Sequence, residues 1–215
     1  MSRNSLPVII IGTSGHARVV QDVLYLSSRT ILGATGMSPI TSRLGEVPIL
    51  GEDLAVQQYP PDTVELVNGV GSVHRPTARH SVYTRFKAMG YTFATIVHPS
   101  AIIADGVTLG EGAQIMAGVV IQPGTSVGEN TIINTRASID HDCVIGSHVH
   151  IAPGVTCSGN VSIGDQTHVG TGASVLHQIR IGASVVVGGG AVVVHDIADG
   201  ELVYGVPARR RMPSP

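Results

Sequence analysis

From Val97 to Ala198 the chain repeats in sixes without a break in register: VHPSAI, IADGVT, LGEGAQ, IMAGVV and so on to VGGGAV and VVHDIA. The first position of each hexad is Val, Ile or Leu except at Cys157, and the fifth is always Ala, Val, Thr, Cys or Ile. Repetition of this kind marks a solenoid, in which each short unit buries its apolar side chains only by stacking on the last. A longer period lies on top. Gly110, Gly128, Gly146, Gly164 and Gly182 recur at the second position every eighteen residues. Three hexads therefore close one coil of a three-sided prism, and this glycine column is expected to line turns that need a positive φ.

The register sorts the side chains. Positions one and five point inward, while positions three, four and six are mainly outward. Cys143 at position five and Cys157 at position one are thus expected in the core, where a thiol lacks the access and electropositive setting of a nucleophile. They match no metal-ligand spacing and suit a reducing, cytoplasmic setting.

Before Val97 the pattern is that of an α/β unit. Pro7–Ile11 reads as a short buried strand, GTSGHA as a turn, and ARVVQDVLYLSS as a helix. Val64–Val70 reads as a second parallel strand, RPTARHSVYTRFKAMG as a helix from the spacing of Val82, Phe86 and Met89, and TFATIV as another strand. The fold expected is a small N-terminal α/β (Rossmann-like) domain over 1–95, a parallel β-helix of hexapeptide repeats over 96–199, and a C-terminal tail over 200–215.

Composition excludes some partners. A net charge of −2 over 215 residues gives no general attraction to nucleic acid or anionic membrane. Aromatic residues make up 3% and Trp is absent, which argues against a base-stacking platform. Arg209, Arg210 and Arg211 form the only basic cluster and read as part of a solvated tail. No apolar stretch approaches membrane-spanning length, and Met1–Pro7 lacks the build of a signal peptide.

The register also gives the histidines their settings. His141 occupies position three, outward or at a corner, between Asp140 and Asp142. A histidine that donates one ring N–H to a carboxylate becomes a better base near neutral pH, and either aspartate is a candidate partner. His177 and His195 share its column, while His150 and His168 share a position-six column one coil apart. His168, His177 and His195 read as exposed surface residues. A rival reading gathers three histidines around zinc at a subunit interface, as in a carbonic-anhydrase-like β-helix. No distinctive ligand spacing supports it, so no metal is expected. A non-catalytic scaffold is a third reading, against which the intact His141 and its flanking acids speak.

The hexads, Ile133–Asn134–Thr135, Asp140–His141–Asp142–Cys143, His150–Ile151–Ala152–Pro153–Gly154 and the tail Gly205–Val206–Pro207–Ala208, with Gly12–Thr13–Ser14–Gly15–His16–Ala17 near the start, together resemble one family. It is the bacterial sugar acetyltransferases of the sialic-acid O-acetyltransferase and UDP-4-amino-sugar N-acetyltransferase type. The resemblance implies a left-handed β-helix, a homotrimer, and acetyl-CoA lying in the groove between neighbouring prisms. It implies His141 as general base with Asp142 raising its basicity, direct attack on the thioester, and a backbone N–H as oxyanion donor. His150, Thr171 and Gly189 match cofactor-groove positions; Ser14, Gly15 and His16 match the turn that binds the sugar-nucleotide acceptor, and Asn134 matches a polar residue near the active site. Two departures stand out. The region after the second strand, GATGMSPITSRLG, lacks the family's carboxylates, and its Gly-Asp-Asn turn is here Gly71–Ser72–Val73, with Arg79 as counterpart of the arginine that follows. The acceptor is expected to be the amino group of a nucleotide-linked amino sugar; the hydroxyl of a sialic acid or other sugar is the alternative.

Overall fold

The computed structural model describes residues 6–38, 40–42, 45–72 and 76–210. Val73 and Arg211, named above, lie outside the described residues, as do Met1–Ser5. The first unit begins with β1 (Val8–Ile11) and α1 (Gly15–Leu26), followed by β2 (Ile31–Thr35). A hairpin of β3 (Ile40–Ser42) and β4 (Gly45–Val47) leads to β5 (Ile49–Gly51) and a 3₁₀ turn over Asp53–Gln58. Then come β6 (Glu65–Asn68) and α2 (Thr77–Ala88). The main sheet is parallel in the order β5-β2-β1-β6, as expected of an alternating β–α pattern. The four residues of β1 are wholly buried. They form a continuous apolar run because both faces of the sheet are covered.

TFATIV is not one strand. Phe93 makes an isolated bridge to Leu66 at the edge of this sheet, while Ile96–Val97 already belongs to the first face of the solenoid. The segment is where the chain passes from one architecture to the other, so its alternating residues serve two different cores.

Beyond it the chain winds as a left-handed β-helix of two-residue strands, each formed by position six of one hexad and position one of the next. The strands stack eighteen residues apart into three parallel faces. The first runs from Ile96–Val97 through Gln114–Ile115, Ile132–Ile133, His150–Ile151 and His168–Val169 to Val186–Val187. The second begins at Ile102–Ile103 and the third at Thr108–Leu109. Positions one and five fill the prism with Ile, Val, Ala, Cys143 and Cys157, nearly all fully buried. Burying each branched side chain contributes roughly 1.5–3 kcal/mol.

The glycine column has a different cause from the one expected. None of its five members has a φ in the left-handed region. A methyl group at Gly128 would instead stand 2.5 Å from the backbone of Gly146 in the next coil, and one at Gly164 the same distance from the Ala183 nitrogen. Close stacking of backbone on backbone requires these glycines. Positive φ belongs to position four, at Gly106, Gly112, Gly118, Gly124, Gly154, Gly172 and Gly190, but also at Asn130, Arg136, Asp142, His148, Asn160, Gln166, Gln178 and Ser184. Left-handed geometry costs an L-residue roughly 1–2 kcal/mol. Here the backbone is held in it by hydrogen bonds, such as Asp142 N–H to the Pro123 carbonyl (3.0 Å) and Asn160 N–H to the His141 carbonyl (2.9 Å).

Position six is outward on two faces but not on the first. Gln114, Ile132, His150 and Val186 are buried there, the first two because the α/β unit lies on that face. Ala17, Val20, Val23 and Leu24 of α1 share one apolar cluster with Ile96, Met116 and Ile132. The described residues of the expected tail, 200–210, belong to the fold. Leu202–Tyr204 extends the first face, with Val203 in the core, and Arg209–Arg210 pairs antiparallel with it. Both arginines are exposed. Among the described residues no helix is long and apolar enough to cross a membrane.

Candidate active site

His141 stands at the corner that follows the second-face strand Ser138–Ile139, its side chain 49% exposed. The two aspartates beside it have separate tasks. Asp140 turns back and accepts the backbone N–H of His141 (2.8 Å). Asp142, in the left-handed conformation at φ +56°, carries its carboxylate alongside the ring, and Oδ2 accepts from Nδ1–H at 2.8 Å. That bond assigns the proton to Nδ1 and leaves the Nε2 lone pair as the basic site. The pKa of His141 is raised, chiefly by the hydrogen bond to Asp142; desolvation opposes the rise, and the charges of Asp140 and then Asp142 add to it.

A cleft of about 490 Å³ opens between the α/β unit and the first face, lined by Ser14, Gly15, His16, Val19, Val70, Gly71, Ser72, Asn134 and His150. Ser14 precedes α1 without capping it: its hydroxyl donates to the Gly69 carbonyl (3.0 Å), and the first turn carries no acidic residue. The helix therefore keeps uncompensated N–H groups at its positive end. His16 donates Nε2–H to Oε1 of Gln114 (2.7 Å), whose amide nitrogen donates to the Asn68 carbonyl (2.9 Å). Burial, and secondarily the charge of Arg79, pulls the His16 pKa down to about 4.

His150 is held in one tautomer. Asn134 Oδ1 accepts the Thr135 N–H (2.7 Å), so its Nδ2 is the atom that donates to His150 Nε2 (3.1 Å). Nδ1–H then donates to Ser72, with the hydroxyl oxygen at 2.6 Å and the carbonyl at 3.2 Å. Burial, followed by the charges of His168, His16 and Arg79, brings His150 down to about 3. Behind the cleft Arg79 is fully buried and spans the two units, donating to the carbonyls of Asn68 and Val70 (2.9 Å each) and of Asn130 (3.1 Å). Burial lowers it to about 9. No carboxylate is among these partners, and its field is felt at both cleft histidines.

Thr171 and Gly189 lie apart from this cleft. With His168, Gly188 and Tyr204 they line a smaller one of about 220 Å³ further along the same face. The ring of His168 meets that of His150 edge-on, centroids 5.0 Å apart, so this pair stands between the two clefts. His168 is thereby half-buried rather than an exposed surface residue, whereas His177 and His195 are exposed. The structure thus gathers Ser14, Gly15, His16, Asn134 and His150 around one cleft, and Thr171 and Gly189 around another. His141 and Asp142 line neither. Gln114 escaped sequence reasoning because it is one of many polar residues at position six, and which face the α/β unit covers is a tertiary fact. Among the described residues no three His, Cys, Asp or Glu side chains converge as metal ligands.

Residues 7–86 match the model of the PglD N-terminal domain, and residues 124–159 match that of the bacterial transferase hexapeptide (six repeats). Perosamine N-acetyltransferase from Caulobacter crescentus superposes with a TM-score of 0.89 at 36% identity, over 96% of this chain and 97% of that one. The chain belongs to the sugar N-acetyltransferases with a PglD-type N-terminal domain. Structures of the Caulobacter acetyltransferase with one histidine replaced by asparagine or alanine hold CoA and GDP-perosamine. The acetyltransferase domain of PglB from Neisseria gonorrhoeae, known also with acetyl coenzyme A, matches with a TM-score of 0.86 at 30% identity, over 95% of this chain and 99% of that one. UDP-N-acetylbacillosamine N-acetyltransferase of Bacillus subtilis is 37% identical over 114 residues, which is 51% of this acetyltransferase and 51% of its relative. That alignment spans about half the length of the curated protein.

Proposed function

We propose that this acetyltransferase moves the acetyl group of acetyl-CoA directly to the amino group of a nucleotide-linked amino sugar, with His141 as general base and Asp142 as its partner. The observation that carries the reading is the 2.8 Å bond from His141 Nδ1–H to Asp142 at an exposed corner, which leaves Nε2 free to take a proton. The ligands of the relatives support the choice of donor and acceptor. The amine attacks the thioester carbonyl carbon as its proton passes to Nε2, giving a tetrahedral oxyanion stabilised by a backbone N–H. The C–S bond then breaks, and the coenzyme A thiolate leaves with the proton from the imidazolium. No acyl-enzyme is required, in keeping with the buried Cys143 and Cys157, whose pKa values burial raises.

Ser14, Gly15, His16 and Asn134 hold the acceptor, with its phosphates at the open N-terminus of α1. His150, Thr171 and Gly189 hold acetyl-CoA along the first face. Since His141 lines neither cleft of its own chain, the reading requires a homotrimer in which one prism brings its His141 corner to the cleft of the next. Val144, three residues on and 55% exposed, suits such an apolar contact.

The test is thiol release from acetyl-CoA by wild-type and His141→Ala protein against UDP- and GDP-linked amino sugars and free sialic acid. Turnover of an amino sugar, reduced roughly a hundredfold or more in a variant of unchanged oligomeric state, is the expected result. Near-full activity of His141→Ala would remove the general-base role, and turnover of sialic acid alone would reassign the acceptor to a hydroxyl.

A further inference from the structure

Residues eighteen apart lie one above another at the corners of the β-helix, and the column through His141 reads Pro123, His141, Gly159, His177, His195. Gly159 is the one glycine in that run. Its φ is not in the left-handed region, so its backbone accepts any residue. It is buried, yet the atoms nearest its missing Cβ all belong to a side chain, so the backbone stacking that explains Gly128 and Gly164 does not apply. What occupies its missing side chain is the imidazole of His141. A methyl group at Gly159 would come within 2.5 Å of Nε2, 2.7 Å of Cε1 and 3.0 Å of Cδ2. The coils cannot part to relieve this, because the His141 carbonyl is bound by Asn160 N–H (2.9 Å) and the Gly159 carbonyl by Gln178 N–H (3.1 Å). His177 closes the far side, its ring centroid 6.3 Å from that of His141. The arrangement is repeated on the other member of the pair: a methyl group at Gly124, one coil below, would overlap Oδ1 of Asp142.

We infer that Gly159 is a positioning residue for the His141–Asp142 pair, its bare Cα forming the seat on which the imidazole lies while Nδ1 meets the aspartate. The inference rests on the reading of His141 as general base. An alanine at 159 displaces the ring, the free end of a side chain, rather than the backbone. The Nδ1 bond to Asp142 is then lost, and the fold is kept. Catalysis is sensitive to such a shift, since a misplacement of about 1 Å can cost on the order of a hundredfold.

The experiment compares Gly159→Ala with Gly106→Ala, whose added methyl group meets nothing within 4 Å, using acetyl-CoA and the acceptor that the wild-type protein turns over. In Gly159→Ala, kcat is expected to fall roughly ten- to a hundredfold. Both KM values stay within about twofold, because the seat holds the base and neither substrate. Thermal stability stays close to that of Gly106→Ala, and in an NMR titration His141 returns toward the ordinary imidazole range. Unchanged kcat in Gly159→Ala beside an inactive His141→Ala overturns the inference and leaves the general base standing. Full activity in His141→Ala overturns both. A Gly159→Ala protein that fails to fold, or an equal loss in Gly106→Ala, also overturns it, since glycine would then serve the coil and not the ring.

Discussion

The hydrogen bond between His141 and Asp142 determines which ring nitrogen can act. The sequence presents aspartates on both sides of His141, and nothing in the residue types distinguishes them. The backbone does: Asp142 sits at position four, where the left-handed turn swings its carboxylate beside the ring, while Asp140 is consumed by the His141 N–H. Asp142→Asn is therefore expected to lower kcat about tenfold or more, and Asp140→Asn much less. The pH profile gives the sign. A general base works only when deprotonated, so under the proposed role of His141 its raised pKa is expected to set the acid limb of kcat/KM above the ordinary imidazole value. Removing the Asp142 charge moves that limb to lower pH. A limb that stays in place in Asp142→Asn would show that another group titrates there.

At the scale of the elements, the hexad register was fully legible because inward and outward positions alternate with a fixed period, and the core follows it residue by residue. The glycine column was legible as a pattern but not in its cause. Periodicity shows where glycine recurs, whereas only the stacked coils show that backbone lies 2.5 Å from where its Cβ would be. The two causes predict different costs. Gly128→Ala drives a methyl group into the backbone of Gly146, which has no side-chain end to yield, and is expected to cost about 3 kcal/mol or more. Gly154→Ala adds a methyl group at φ +70° with nothing within 4 Å, and is expected to cost about 1 kcal/mol. Urea midpoints of the two variants measure the difference; equal losses would return the column to a matter of dihedral angle. In the first unit β2 and β5 were less legible than β1: β2 breaks after Ile31–Leu32 into Gly33 and Ala34, and β5 has only three residues, so neither offers the continuous branched apolar run that marks β1.

At the scale of the whole molecule, the junction between the two units is built on neutral histidines. His16 and His150 bind across it, and His148, drawn down to about 4 chiefly by burial and then by the charge of His80, packs against the His80 ring of α2 at 4.4 Å between centroids, the planes tilted by 60°. In the unfolded chain each titrates near 6.5. A folded pKa below the unfolded one means that the unfolded chain binds the proton first. Stability is therefore full above about pH 6.5 and is lost as pH falls toward 4. The melting temperature should accordingly drop by several degrees between pH 7.5 and 5, and less so in His148→Gln; a flat profile over that range would contradict neutral histidines at the junction. The sequence by itself determined the prism, its register, its buried thiols and the exposed setting of His141, because a repeat repeats its environment and one rule serves every coil. It did not determine which prism face the α/β unit covers, why Gln114 and Ile132 are buried at an outward position, or that Arg79 reaches across to Asn130. Those were decided by contacts between segments 50 to 100 residues apart, such as Arg79 with Asn130 and His16 with Gln114. Such contacts depend on how two surfaces fit, and no periodicity within either segment records that fit.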